Sequence, residues 1–152
     1  MEYIRKYRLL AKTEMIKSGI PISIKLAQGI LESKSGSSEL ARKANNHFGI
    51  KCGKNWKGKS YAILTDEWDP KKSRMISRKG CFRAYPTVDD CYNAHSNLLK
   101  HKRYKKLFEL GPGDYKNWAL GLQKLGYATD PDYAKKIILL IERYRLYELD
   151  KD

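Results

Sequence analysis

The chain has 152 residues, of which 41% are hydrophobic and 32% are charged. This composition excludes a disordered chain and a two-domain enzyme, so we expect one domain spanning residues 1–152. Lys and Arg number 31 against 17 Asp and Glu, which gives a formal net charge of +14. Such a surface attracts polyanions, and nucleic acid, anionic lipid and anionic cell-wall polymer are all candidate partners.

Helices are predicted before and after a central segment that lacks helical periodicity. Before it, apolar spacing and cap residues predict three helices, at about 2–17, at about 21–33 and from Ser37 or Ser38 to Ala44. After it, four helices are predicted, from Thr87 to about Lys100, at about 102–109, from Asp114 to the glycine at 126, and from an Asp130 cap with Pro131 in first position. The second helix has few charges and should be largely buried.

The central segment, about 45–85, is predicted to be a small β insert. Glycines recur in it, and β-type runs occur at 59–65 and 80–85. Asp69 and Pro70 with the following lysines suit a turn, which predicts a hairpin with its tip near residue 71. The fold class is therefore mainly α (α+β), with a helical lobe and a small β-hairpin lobe.

Glu32 is the first candidate for catalysis. It is the only carboxylate between Ile20 and Ser38 and ends an otherwise apolar helix. Partial burial raises the pKa of a carboxyl group, as a general acid working near neutral pH requires. The alternative from this feature alone is an ordinary solvated Glu at a helix end.

A second acidic group lies in the β insert, where Asp66, Glu67 and Asp69 surround Trp68. Glycoside hydrolysis commonly uses two carboxylates that flank the scissile bond. For Asp69 we prefer a structural role at the hairpin tip. The aromatic side chains in loop-rich sequence are candidates for stacking on sugar rings: Trp56, Tyr61 and Trp68. Trp118 lies on an apolar helical face and is assigned to the core.

The cysteines and the N-terminus bear on location and metal binding. Cys52, Cys81 and Cys91 have no metal-ligand spacing, so we expect neither metal nor cofactor. No run approaches the length of a membrane span, and the N-terminus lacks the apolar region of a secretory signal, which indicates cytosolic synthesis or a trimmed leader. Cys52 and Cys81 flank the β insert and could be neighbours, but synthesis in a reducing compartment argues against a disulfide.

Several ordered motifs resemble the β-N-acetylglucosaminidases of glycoside hydrolase family 73, over about residues 3–149. The version here is most similar to single-domain catalytic modules of Bacteroidetes bacteria and their phages. The motifs are Ile30-Leu-Glu-Ser-Lys-Ser-Gly-Ser-Ser-Glu-Leu-Ala41, Asn45-Asn-His-Phe-Gly-Ile-Lys51, Trp56-Lys-Gly58, Cys81-Phe-Arg-Ala-Tyr85 and Gly126-Tyr-Ala-Thr-Asp-Pro131.

This resemblance implies a lysozyme-like fold with a groove for peptidoglycan glycan. It implies that Glu32 is the general acid, that the second carboxylate is Glu67 with Asp66 as the alternate, and that Tyr127 lies near the cleaved sugar. It also implies that Asn46 and Phe48 help to shape the groove. The expected activity is that of an endo-β-N-acetylglucosaminidase acting at the bacterial cell wall as a monomer, whether as an endolysin or an autolysin.

Position 34 departs from the commoner family motif, Glu-Ser-Gly-x-Gly, because it is Lys rather than Gly. Either the backbone differs there, or its φ is negative and any residue fits. Lys34 could also approach Glu32 and lower its pKa. A glycan-binding domain without activity is therefore one alternative to the enzyme. The other is a basic module that binds nucleic acid, although the charges are spread along the chain and no recognition motif is present.

Overall fold

The computed structural model describes residues 1–111 and 113–151. It contains six α-helices, two 3₁₀ helices and one β-hairpin within those residues. In chain order the elements are α1 (Glu2–Ser18), α2 (Ile22–Ser33), α3 (Glu39–Ala44), β1 (Ser60–Asp69), β2 (Arg74–Arg83), α4 (Val88–Leu99), a first 3₁₀ helix (Lys102–Glu109), α5 (Tyr115–Lys124), α6 (Tyr133–Arg143) and a second 3₁₀ helix (Leu146–Lys151). The predicted architecture, helices around a small β insert, is confirmed.

Helix α2 is the central element of the helical lobe. Every residue from Ile22 to Ile30 is buried, as expected of a helix with few charges. It contacts α1, α5, α6 and the second 3₁₀ helix. Trp118 of α5 is buried in the same core, as predicted.

The hairpin pairs β1 with β2 in antiparallel register, with Tyr61 opposite Phe82 and Glu67 opposite Ile76. Its strands are longer than the β-type runs predicted, but the turn falls near residue 71 as expected. Phe82 packs with Leu40 and Ala44 of α3 in a second, small apolar cluster. This cluster attaches the base of the hairpin to the helical lobe.

The predicted start of the last helix is wrong. Helix α6 begins at Tyr133 rather than at Pro131, and its N-cap residue is Asp132. Asp130 instead accepts a hydrogen bond from the Asp132 backbone N–H at 2.8 Å. The Asp-Pro signal therefore marks the turn that leads into the helix.

Cys52 and Cys81 form a disulfide, with their Cα atoms 5.5 Å apart, so the expectation of unpaired thiols is also wrong. The two cysteines face each other because Lys51 forms a β-bridge with Phe82, next to Cys81. The backbone N–H of Cys52 also donates to the carbonyl of Cys81 at 2.9 Å.

Lys34 adopts φ +51° and ψ +52°, the left-handed conformation that favours glycine, so the explanation by a negative φ is wrong. Ser35 follows it with φ +58°. The backbone turns as a glycine-containing motif would turn, although no glycine stands at either position. Position 34 therefore carries Lys in place of the motif's Gly, and its backbone is left-handed.

Candidate active site

Glu32 lies in the last turn of α2, and part of its surface is exposed to solvent. Its Oε2 faces the loop after α3, where a Cβ placed on Gly49 would lie 3.6 Å from it. A residue larger than glycine at position 49 would therefore stand in ordinary contact with this carboxylate. The carboxyl group is thus open to water on one side and surrounded by protein on the others.

This environment raises the pKa of Glu32 from 4.5 to about 7. Loss of hydration is the main cause, the negative charge of Asp130 adds to it, and the positive charge of Lys136 opposes it. The C-terminal end of a helix also disfavours a negative charge. A carboxyl group with this pKa is about half protonated at neutral pH and can donate a proton there.

Lys136, rather than Lys34, is the cation that lowers the pKa of Glu32. Lys136 of α6 forms an ion pair with Asp130 at 2.5 Å. Neither residue was singled out from the sequence for the site, although Asp130 lies in a motif that the resemblance uses. The predicted approach of Lys34 to Glu32 is therefore not what tunes this carboxyl group.

Two tyrosines stand close enough to Glu32 for its charge to act on them. Burial raises the pKa of Tyr127 and of Tyr133 well above the usual value, and the charge of Glu32 adds to the effect in both. Their ring centroids are 5.7 Å apart. The structure thus places both Tyr127 and Tyr133 near Glu32, and Tyr133 was not predicted from the sequence.

Gln28 lies one turn before Glu32 on α2 and organises the buried side of the site. Its amide nitrogen donates to the Tyr133 hydroxyl at 2.8 Å, and its carbonyl oxygen lies 2.9 Å from His95 Nε2. Since a carbonyl oxygen only accepts, His95 carries its proton on Nε2. The spacing of four residues between Gln28 and Glu32 was the available sequence signal, and it was not used.

Asn46 and Phe48 are both buried, in the loop that faces Glu32. The Asn46 side chain donates to the carbonyls of Ile50 and Arg83, at 3.0 and 2.9 Å, and so ties the loop to the hairpin. Phe48 stacks on His95 with ring centroids 4.0 Å apart. Both side chains are at most 3% exposed, so neither presents a polar group to a ligand.

The hairpin separates the two candidate second carboxylates. Glu67 lies on the same face of β1 as Tyr61, the face that packs toward α3, and its Oε1 accepts from Lys51 Nζ at 3.0 Å. Asp66 lies on the opposite face and accepts from the Ser77 hydroxyl at 2.8 Å. Strand alternation therefore places only Glu67 on the side of the helical lobe.

The three candidate stacking aromatics occupy different surroundings. The Tyr61 hydroxyl donates to Glu39 of α3. The Trp56 indole lies under the Arg83 guanidinium, 4.6 Å from its ring centroid. Trp68 lies on the Asp66 face of the hairpin opposite Met75, so its ring is directed away from the face that carries Glu67.

Asp69 has the structural role expected of it. Its Oδ1 accepts from the backbone N–H groups of Lys71 and Lys72, at 2.9 and 3.2 Å, and so closes the hairpin turn.

Among residues 1–111 and 113–151, no group of three His, Cys, Asp or Glu side chains is arranged to hold a metal ion. Over the same residues, no helix is both long enough and apolar enough to cross a bilayer.

Comparison with known proteins agrees with this geometry. Residues 9–146 match the family model described as glucosaminidase, mannosyl-glycoprotein endo-beta-N-acetylglucosaminidase. The chain is 45% identical over 135 residues to the exo-glucosaminidase LytG of Bacillus subtilis, covering 85% of this chain and 46% of LytG. It is 30% identical over 149 residues to the peptidoglycan hydrolase FlgJ of Salmonella typhimurium, covering 95% of this chain and 46% of FlgJ.

The chain thus spans about half the length of these curated relatives. The crystal structure of a peptidoglycan hydrolase mutant from Sphingomonas sp. A1 superposes with a TM-score of 0.84 at 29% identity, covering 97% of this chain and 96% of that one. This likeness shows the lysozyme-like fold that the resemblance implies. From the family match over most of its length and from the fold, the chain belongs to the glucosaminidase family, glycoside hydrolase family 73.

Proposed function

We propose that this chain hydrolyses peptidoglycan at the β-1,4 bond between N-acetylglucosamine and N-acetylmuramic acid, with Glu32 as the general acid. The observation that carries the proposal is the Glu32 carboxyl group, which opens to solvent between the two lobes with its pKa raised to about 7. The names of LytG and FlgJ, an exo-glucosaminidase and a peptidoglycan hydrolase, support the choice of substrate.

Glu67 is the second carboxylate in this proposal, because it lies on the hairpin face directed toward the helical lobe. Lys51 Nζ lies 3.0 Å from its Oε1 and holds the side chain in place, and a carboxylate in this position stabilises an oxocarbenium-like transition state or activates water. Asp66 remains the alternate. The acetamido group of the substrate is a third source of the nucleophile, since N-acetyl sugars assist their own cleavage.

The remaining site residues are assigned to glycan recognition. Tyr127 keeps its phenol neutral, because burial raises its pKa, and so offers a hydrogen-bond donor beside the cleaved sugar. Tyr61 and Trp56 offer aromatic faces along the hairpin and its base, whereas Trp68 lies on the opposite face of the hairpin and would contact only glycan that extends around it. Asn46 and Phe48 hold the loop that forms the wall of the groove near Glu32.

The net charge of +14 fits an enzyme that acts at the bacterial cell wall. Carboxylates of the wall peptides provide the negative partner, and this long-range attraction weakens as salt rises. The mechanism needs neither metal nor cofactor, and we expect a monomer. The proposed bond is cleaved either inside a strand, the endo mode that the resemblance implies, or at a strand end, as the name of LytG says for that protein.

The test is digestion of purified sacculi by the wild type and by Glu32→Gln, with Glu109→Gln as the matched control on an exposed surface. Loss of the general acid should reduce the rate by about 10²- to 10⁴-fold, while the control keeps its rate. New reducing ends should carry N-acetylglucosamine. A Glu32→Gln rate within about threefold of the wild type would remove Glu32 from the mechanism.

The same assay distinguishes the alternatives. Muramic acid at the new reducing ends would make the protein a muramidase. Binding of sacculi without any product would make it a glycan-binding domain, and salt-sensitive binding of DNA or RNA without sacculus turnover would favour the nucleic-acid module.

Glu67→Gln and Asp66→Asn decide which hairpin carboxylate takes part. We expect Glu67→Gln to reduce activity, though less than Glu32→Gln does, because substrate assistance replaces a stabilising carboxylate better than it replaces a proton donor. Asp66→Asn should leave activity unchanged, since Asp66 faces away from the helical lobe. The reverse pattern would assign the role to Asp66, and two fully active variants would exclude both.

A further inference from the structure

One hydrogen bond joins the hairpin directly to the loop before α6. The hydroxyl of Thr129 donates to the backbone carbonyl of Trp68 at 2.9 Å, across 61 positions of sequence. We call this hydrogen bond the lobe bridge. It joins the tip half of the hairpin to the helical lobe, whereas the apolar cluster around Phe82 joins the base.

The lobe bridge connects two segments that both approach Glu32, one from the loop after α3 and one before α6. On one side, Gly49 faces the Glu32 carboxylate, and Lys51, two residues further, binds Glu67 at 3.0 Å. Glu67 directly precedes Trp68, which accepts the hydrogen bond from Thr129. The next residue after Thr129 is Asp130, whose negative charge acts on Glu32.

Both ends of the lobe bridge are anchored. Asp130 pairs with Lys136 of α6 and accepts from the Asp132 backbone N–H, which holds the loop that carries Thr129. On the hairpin, the Cys52–Cys81 disulfide fixes the strand base to the loop that carries Lys51. A hydrogen bond between two anchored segments loses less conformational entropy on forming than one between free loops.

We propose that the lobe bridge closes the groove over Glu32 and so directs the enzyme to the ends of glycan strands, which makes Thr129 a residue that determines the mode of attack. The proposal rests on the proposed function. An open groove accepts the middle of a strand laid into it from the side, whereas a ring admits only a strand that enters end first.

The chemistry of the substrate strengthens this consequence. Every second sugar of peptidoglycan carries a peptide stem, and many stems are cross-linked to neighbouring strands. Such a strand cannot be threaded far through a closed ring, so only its terminal sugars reach Glu32 while the bridge is formed. The endo mode then requires the bridge to open.

The test uses uncross-linked glycan strands of defined length and follows product size against time by chromatography and mass spectrometry. The wild type should release short terminal products from the first time points, while the remaining strands shorten gradually. Thr129→Val keeps the shape of the side chain and removes the donor. Loss of one hydrogen bond shifts the ratio of open to closed forms by about threefold to tenfold, and internal cleavage products should rise by a similar factor.

Two control variants keep this test specific. Thr129→Ser retains the hydroxyl donor and should keep the wild-type product pattern. Thr13→Val makes the same chemical change on α1, where the exposed Thr13 hydroxyl bonds only its own helix, and should also leave the pattern unchanged. A fold defect in Thr129→Val would lower the rate without changing product size, so product size is the deciding measurement.

The outcomes separate the two proposals. If the wild type turns over no glycan at all, the proposed function fails. If it turns over glycan but yields a broad range of internal fragments from the start, the proposed function stands and the closed ring is overturned. Equal product patterns for the wild type and Thr129→Val would likewise overturn the role of Thr129.

Discussion

Asp150 caps helix α2 by accepting two hydrogen bonds from Ser23, one from the backbone N–H at 2.8 Å and one from the hydroxyl at 2.5 Å. The N-cap residue of α2 is Pro21, which has no side-chain group to do this. The second 3₁₀ helix therefore supplies the cap for the helix that carries Glu32. Its carboxylate also suits the positive end of the helix dipole.

Asp150→Ala should lower the free energy of unfolding by about 1–3 kcal/mol, because it leaves buried donors in the first turn of α2 without a partner. Urea denaturation measures this loss. The matched control is Asp89→Ala, an exposed aspartate in the first turn of α4, which should change stability by at most about 0.5 kcal/mol. Equal losses of unfolding free energy in both variants would contradict the role of Asp150 as the cap of α2.

Activity should depend on pH through Glu32. Because the general acid must be protonated, kcat/KM should fall by about tenfold per pH unit above the Glu32 pKa. Asp130→Asn removes a negative charge that raises this pKa, so the descending limb should move to lower pH. Lys136→Met removes the opposing positive charge, so the limb should move to higher pH.

Lys135→Met is the control for that experiment, since Lys135 is an exposed lysine of α6 adjacent to Lys136. The pH dependence of kcat/KM for Lys135→Met should match that of the wild type. Shifts of the same sign in Asp130→Asn and Lys136→Met would contradict the assignment of these charges to Glu32.

Glu32 should also make stability depend on pH. Its pKa is about 7 in the folded chain and near 4.5 when unfolded, so between these values the folded state binds more protons. Stability therefore falls as pH rises through this window. Glu32→Gln, which cannot ionise, should stabilise the protein more at pH 8 than at pH 4, as thermal unfolding at both pH values would measure. An equal effect at both pH values would argue against a raised pKa.

Lys34→Gly should make the protein more stable than Lys34→Ala by about 1 kcal/mol, because the backbone at position 34 is left-handed and only glycine adopts φ +51° without steric cost. The alanine variant removes the lysine charge in the same way, so the difference isolates the backbone effect. Chemical denaturation of both variants measures it. An alanine variant as stable as the glycine variant would contradict the left-handed conformation.

The Cys52–Cys81 disulfide should stabilise the fold by about 3 kcal/mol, since it closes a loop with a sequence separation of 29. A Cys52→Ser and Cys81→Ser double variant should lose this stability, and dithiothreitol should lower the wild type to the same level. The reductant should not change the double variant further, because Cys91 is a buried free thiol. Insensitivity of the wild type to reductant would show that the disulfide does not form in solution.

The sequence alone determined what depends on neighbours along the chain. Helical periodicity located α1 and α2, a serine cap at position 37 or 38 predicted α3, and the turn residues placed the hairpin tip. Glu32 stood out because local patterning isolates one carboxylate at the end of an apolar helix. The start of α6 was misplaced because Asp-Pro favours a turn as well as a cap, and local signals do not choose between them.

Only the tertiary structure decided what depends on distant residues. The pKa of Glu32 is set by burial and by Asp130 and Lys136, about a hundred positions away. Strand alternation directs Glu67 rather than Asp66 toward the helical lobe, but only the observed register and packing show which face that is. The disulfide and the hydrogen bond from Thr129 to Trp68 likewise join segments far apart in sequence. Charge, hydration and hydrogen bonding act through space, so local pattern singled out Glu32 as the candidate acid, whereas folding set the pKa of its carboxyl group.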